Sequence, residues 1–197
     1  MGTKPLLSMV SVVAVAALLG VGGAASADDL RVGMIGLDTS HVIAFTEVLN
    51  NPDHKDHIPG AKVVAAYKGG SDDVESSYTR VDDYTKQLQD RFGVKIVDTI
   101  EELCTMVDAV LLESVDGRPH LEQVKPVFAA KKPVFIDKPM AGNLADGLEI
   151  FRLAKENDVP CWSSSSLRFG PSIAGMKNRE DVGQVLGCDA FSPCSLD

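Results

Sequence analysis

The chain has 197 residues, 45% of them hydrophobic, with 28 acidic against 19 basic side chains and a formal net charge of −9. That acidic balance excludes nucleic acid and anionic membrane surfaces as natural partners, because like charges repel. Four cysteines, Cys104, Cys161, Cys188 and Cys194, are too few and too irregularly spaced for a disulfide framework, and none forms a Cys-x-x-Cys pair.

The chain opens with Lys4, an apolar stretch from Leu6 to Val21, and small residues ending Ala25-Ser26-Ala27 before Asp28 and Asp29. Charged, apolar and small-residue sections in that order are the pattern of a secretory signal peptide, with cleavage expected after Ala27. An uncleaved anchor is the alternative, since the apolar stretch nearly reaches the ~20 residues that span a bilayer. Ala25-x-Ala27 favours cleavage, so residues 1–27 are expected to be a leader and no stable membrane anchor is expected. The absence of a twin arginine points to the general export route. Removing the leader takes away one positive charge and leaves the mature chain more acidic still. In an exported protein Cys188 and Cys194 could bridge, whereas Cys104 and Cys161 fall in helix-like and strand-like segments where buried thiols are the default.

Beyond the leader, short apolar runs alternate with helical patterns. Strands are expected at Leu30 to Gly36, Lys62 to Tyr67, Lys95 to Val97, Ala109 to Leu112, Pro133 to Ile136 and Pro160 to Ser163. Between them, Thr99-Ile100-Glu101-Glu102 reads as a reciprocal capping box. Leu144, Leu148 and Phe151 recur at helical spacing behind the cap residue Asn143. Runs such as Ala109-Val110-Leu111-Leu112 carry no polar alternation, so they should be buried on both faces of a parallel sheet clothed by helices. The fold class is therefore α/β, a doubly wound parallel sheet, over residues 28–182.

Ile136-Asp137-Lys138-Pro139 sets a lysine at the exit of a buried strand, where open α/β sheets keep their ligands. A lysine there can hold a polar ligand group or move protons, and Pro139 stiffens the turn that aims it. His54-Lys55-Asp56-His57 gathers ligand-type residues, but it lies between Pro52 and Pro59 and reads as a solvated turn. No hydrolase triad signature or phosphate-cradling Gly-x-x-x-x-Gly-Lys loop is present.

Several segments together resemble the amino-terminal half of the Gfo/Idh/MocA family of nicotinamide-dependent oxidoreductases. They are Arg31-Val32-Gly33-Met34-Ile35-Gly36, Asp108-Ala109-Val110, Pro119-His120, Asp137-Lys138-Pro139 where the family usually has Glu-Lys-Pro, and Ser166-Leu167-Arg168-Phe169-Gly170-Pro171. The resemblance runs from about Arg31 to the end of the chain. It implies a Rossmann-type dinucleotide-binding domain and NAD(P) as cofactor. It also implies a small-molecule substrate of the sugar or polyol kind, oxidised or reduced at a CH–OH group, with Lys138 as the catalytic residue. The implied cofactor-binding residues are Gly36, Thr39, Ser40, His41, Lys68, Ser71, Ser114, His120, Asp137, Lys138 and Arg168. No metal ligand is implied.

Two departures from the family pattern bear on chemistry. The turn reads Gly36-Leu37-Asp38-Thr39-Ser40-His41, so only the first glycine of Gly-x-Gly-x-x-Gly survives, and Asp38 would set a carboxylate near the diphosphate unless it turns away, is protonated or meets a cation. Thr39 and Ser40 could cap the following helix, whose amino terminus still favours anions, while His41 is expected to pack that helix as a buried histidine. At the end of the second strand Lys68 and Ser71 stand where an acidic residue normally holds the ribose of NAD, which tilts the expectation towards NADP. His120 is expected to line the site, and Arg168 either lines it or forms a structural ion pair.

In the family a second, α+β domain follows. Here 183–197, from Gly183-Gln184-Val185-Leu186, is expected to be the first strand of that domain, cut short. The chain alone is then expected to be inactive, with a homo-oligomer possible only with the missing domain. The competing reading is a non-catalytic ligand-binding or interaction protein that kept the fold after losing the glycine-rich turn.

Overall fold

The computed structural model describes residues 29–176, 179–181, 183–187 and 189. Six strands form one sheet: β1 (Leu30–Ile35), β2 (Ala61–Tyr67), β3 (Lys95–Val97), β4 (Ala109–Leu112), β5 (Val134–Ile136) and β6 (Cys161–Trp162), in the spatial order β3-β2-β1-β4-β5-β6. Every pairing is parallel. The strand order reverses between β1 and β4, which makes the carboxyl ends of these two strands the place for a ligand. Each strand lies within a residue or so of its expected position. Pro133 and Pro160 fall just outside β5 and β6, because a proline has no N–H to give the ladder; their carbonyls still accept from Val110 and Val134.

The helices are α1 (Ser40–Asn50), α2 (Glu75–Tyr78), α3 (Val81–Phe92), α4 (Ile100–Met106), α5 (His120–Ala129), α6 (Leu144–Asn157) and α7 (Pro171–Ala174), with a 3₁₀ turn at Ser166–Phe169. Side chains alternate across each strand, and β1 feeds a core on both faces. Val32 and Met34 join Val42 and Leu88 of α1 and α3, whereas Ile35 joins Leu103, Val124, Phe128 and Ile150 of α4, α5 and α6. Gly33 permits the tight α4 contact, since a Cβ there would sit 3.1 Å from Leu103 and Val107.

Local expectations fare unevenly. Asn143 caps α6 by accepting from the Asp146 amide at 2.9 Å. Thr99 caps α4 through the Glu102 amide, but the Glu102 carboxylate turns to Lys95 at 2.9 Å, so the capping box is only half made. Leu144, Leu148 and Phe151 are helical yet exposed, and α6 packs through Ile150 and Ala154 instead. Helical spacing marks several possible stripes on one helix, and only the neighbours decide which is buried. Cys104 is buried and Cys161 half-buried, both free thiols, and burial pushes each up to about 11. Residues 183–187 form no strand. Residue 188, residues 190–197 and the expected leader 1–27 lie outside the described residues, and with them both cysteines of the conceivable Cys188–Cys194 bridge. Among the described residues no helix is long and apolar enough to cross a membrane.

Candidate active site at the exits of β1, β4 and β5

Parallel register fixes the neighbours of the site before any side chain is considered. Leu112 pairs with Ile136, and the ladder runs one residue further on each side. The Glu113 amide donates to Ile35 at 2.7 Å and the Asp137 amide to Leu112 at 2.9 Å. Glu113 and Asp137 therefore leave adjacent strands side by side. The turn after β1 brings in the first helical turn of α1, where Thr39 caps the helix by accepting from the His41 amide. The His41 Nδ1 atom lies 2.5 Å from Asp137 Oδ2.

His41 is thus not the buried packing residue expected from the sequence. Its side chain is about a third exposed and lines a cavity of about 320 Å³ with Asp137, Lys138, Phe135, Ser164 and Phe169. Lys138 is exposed, at the exit of β5, as its place after an apolar strand predicts. Arg168 is exposed on the 3₁₀ turn beside the cavity and forms no ion pair among the described residues.

Glu113 is the residue that sequence reasoning missed. It is fully buried, and neither carboxylate oxygen has a hydrogen-bond partner among the described residues. Burial pushes it up to about 8, the neighbouring Asp137 charge adds to the rise, and Lys138 opposes it. The signal was an acidic residue directly after an uninterrupted apolar strand.

Other expected site residues have different tasks. His120 is buried, with one ring nitrogen 2.9 Å from the Ser114 carbonyl and the other 3.2 Å from that of Met140. It ties the segments after β4 and β5 together and does not line the cavity. Ser114 is buried, and its hydroxyl donates to Gln123. The His54 to His57 turn is held locally, with His57 bonded to the Val48 carbonyl. Among the described residues, only His41, Glu113 and Asp137 bring three potential ligand atoms within 4.8 Å of one another.

A family model described as "Oxidoreductase family, NAD-binding Rossmann fold" matches residues 30–165. The chain belongs to that family. It is 24% identical over 160 residues to a putative oxidoreductase, YceM, of Salmonella typhimurium, an alignment covering 81% of this chain and 46% of that protein. Among solved structures it resembles a probable dehydrogenase from Thermotoga maritima, with 29% identity, TM-score 0.56 and coverage of 78% of this chain and 41% of that one. It also shares the fold of apo scyllo-inositol dehydrogenase from Lactobacillus casei, at 20% identity and TM-score 0.59, covering 80% and 42%. The chain spans a little under half the length of these three relatives.

The family's dinucleotide can be tested against the residues at the turn. Gly36 has φ 82° and lies against Ser114, where a Cβ would come within 2.2 Å of the hydroxyl oxygen, so the first glycine keeps its structural task. Asp38, at the second glycine position, has turned away from the crevice: one carboxylate oxygen accepts from the Ser77 hydroxyl at 2.6 Å and the other from the Val115 amide at 2.9 Å. With that charge buried and bonded, the amino terminus of α1 and its exposed Ser40 fit a diphosphate. The ribose end is arranged differently from the expectation. Lys68 pairs with Asp82 at 2.6 Å, and the Ser71 hydroxyl donates to Asp116 at 2.8 Å. Arg118 bonds both Asp116 and Asp73, which links the loop after β2 to the loop after β4. Ser71 therefore faces a carboxylate and is poorly suited to receive a phosphate.

Proposed function

We propose that this is the nucleotide-binding domain of an NAD(P)-dependent oxidoreductase acting on a CH–OH group of a sugar or polyol. The observation that carries the reading is the placement of Lys138 at the exit of β5, on a cavity shared with His41 and Asp137 and next to the turn that follows β1. Gly36, Thr39 and Ser40 would hold the diphosphate at the amino terminus of α1, and when bound the nicotinamide supplies the hydride chemistry. Lys138 would hold the substrate hydroxyl by its charge and take or return its proton. The Ser164 to Ser166 run and Phe169 offer polar and apolar walls for a small hydroxylated ligand. The name of the inositol dehydrogenase neighbour supports a polyol. Export is supported by the leader pattern of residues 1–27 alone.

Two outcomes test this reading. In a form carrying the remaining domain, Lys138→Met should lower turnover by about 10²-fold or more, because it keeps the length of the side chain and removes the proton. Near-normal turnover in a nicotinamide absorbance assay with a polyol panel would assign the chemistry elsewhere. For the nucleotide, NADP(H) should bind slightly more tightly than NAD(H), through Lys68 alone. The Lys68–Asp82 pair is exposed, contributes little, and yields readily to a phosphate dianion. Calorimetric titration of Lys68→Asp should reverse the order, and an unchanged order would remove Lys68 from the cofactor site. Failure of both nucleotides to bind a full-length form would favour the non-catalytic reading.

A further inference from the structure

We propose that His41, Glu113 and Asp137 bind a divalent first-row transition-metal ion at the exits of β1, β4 and β5. Three donor atoms, an imidazole nitrogen and one oxygen from each carboxylate, already lie within 4.8 Å of one another. Metal bonds of about 2.1 Å place donors on one ion roughly 3.0–4.2 Å apart, so the widest separation must close by about 0.6 Å and the 2.5 Å contact between His41 Nδ1 and Asp137 Oδ2 must open or give way to binding through the other imidazole nitrogen. The second and independent observation is Glu113 itself. It is fully buried, it points at the pair formed by His41 and Asp137, and both its oxygens lack a partner among the described residues. A buried carboxylate with nothing to bond costs several kcal/mol in general, and here a second carboxylate lies beside it. One dication satisfies both oxygen donors and balances both charges.

The donor chemistry selects the class of ion. Two carboxylates alone would suit Mg²⁺ or Ca²⁺, but an imidazole in the set shifts preference to Zn²⁺, Mn²⁺ or Fe²⁺. The strands and α1 supply ligands from one side only. The other side faces the cavity lined by Lys138, Ser164 and Ser165, so open coordination positions would meet a hydroxyl or carboxylate of a small ligand there. The inference does not depend on nucleotide binding, because none of the three donors is needed by the α1 amino terminus to hold a diphosphate.

The test is calorimetric titration of the chelator-treated full chain with ZnCl₂ and, separately, MnCl₂, followed by thermal melts with and without the ion. A single saturable site is expected, with a melting temperature that rises on adding metal. Glu113→Gln, Asp137→Asn and His41→Gln should each weaken binding at least about tenfold and abolish most of the rise. Glu113→Gln should fold as well as the wild type without metal, since it keeps the shape and, like the neutral acid, carries no charge. If one variant fails to fold, the other two carry the comparison. His54→Gln, on the surface turn, should bind normally. Absence of saturable binding, full affinity in Glu113→Gln, or an equal loss in His54→Gln would overturn the proposal.

Discussion

Asp38 shows how one side chain changes meaning between sequence and structure. Read along the chain, it occupies a glycine position and threatens the diphosphate with a negative charge, so Asp38→Gly looks like a repair of the dinucleotide turn. In the fold its two oxygens hold the Ser77 hydroxyl and the Val115 amide, and it is fully buried. Asp38→Gly would strand both donors and should cost about 1–3 kcal/mol per unsatisfied group, read as a lower urea midpoint, with no gain in nucleotide affinity. A variant as stable as the wild type would show that these two bonds contribute nothing. His120 makes the same point from the other side. The family resemblance implied a site-lining residue, but both ring nitrogens lie against backbone carbonyls. Glu113 is the converse, since it carries no motif and yet is buried with a carboxylate oxygen within 4.8 Å of ligand atoms of His41 and Asp137.

At the scale of elements, strand exits and helix starts decide what meets what. β4 and β5 end in register, so the carboxylates that follow them become neighbours, and α1 begins close enough to add an imidazole. The entry side of the same sheet is held by a different device. Arg31 at the start of β1 donates its amide, Nε and an Nη nitrogen to Asp108, which precedes β4, while the Asp108 amide donates to the Arg31 carbonyl. The Arg31 side chain, and then its amide, hold the Asp108 carboxyl down to about 2. A depressed carboxylate adds stability above its ordinary value near 4 and loses it as pH falls through about 2. The pair is largely exposed, so its contribution is small and screened, but the titration itself is measurable. The Asp108 carboxyl carbon signal should shift with a midpoint near 2, and Arg31→Ala should move that midpoint up towards 4. A wild-type midpoint near 4 would mean that the pair does not persist in solution. Along α6, Asn143 is the cap and Leu144, Leu148 and Phe151 lie in the helix as their spacing implies, but Ile150 and Ala154 are the buried residues, because capping is a local property and burial is not.

For the whole molecule, a parallel sheet clothed by helices was legible in the sequence, while its order β3-β2-β1-β4-β5-β6 came from the structure. Unbroken apolar runs separated by helical patterns admit few other arrangements. The place of Lys138 was legible as well, since it follows an apolar strand and in the structure lines the cavity at that strand's carboxyl end. What the sequence by itself determined, then, was whatever depends on neighbours along the chain: strand positions, the Thr39, Thr99 and Asn143 caps, the one glycine kept in the turn after β1, and the lysine at a strand exit. The tertiary structure alone decided which distant groups face each other. It turned Asp38 inward, joined Ser71 and Arg118 through Asp116, and committed His120 to two carbonyls. It also gathered His41, Glu113 and Asp137 from three segments 24 or more residues apart. Hydrogen bonds and charge pairs act over a few ångströms, and residues that far apart in sequence come within such distances only when the sheet register brings their strand ends together.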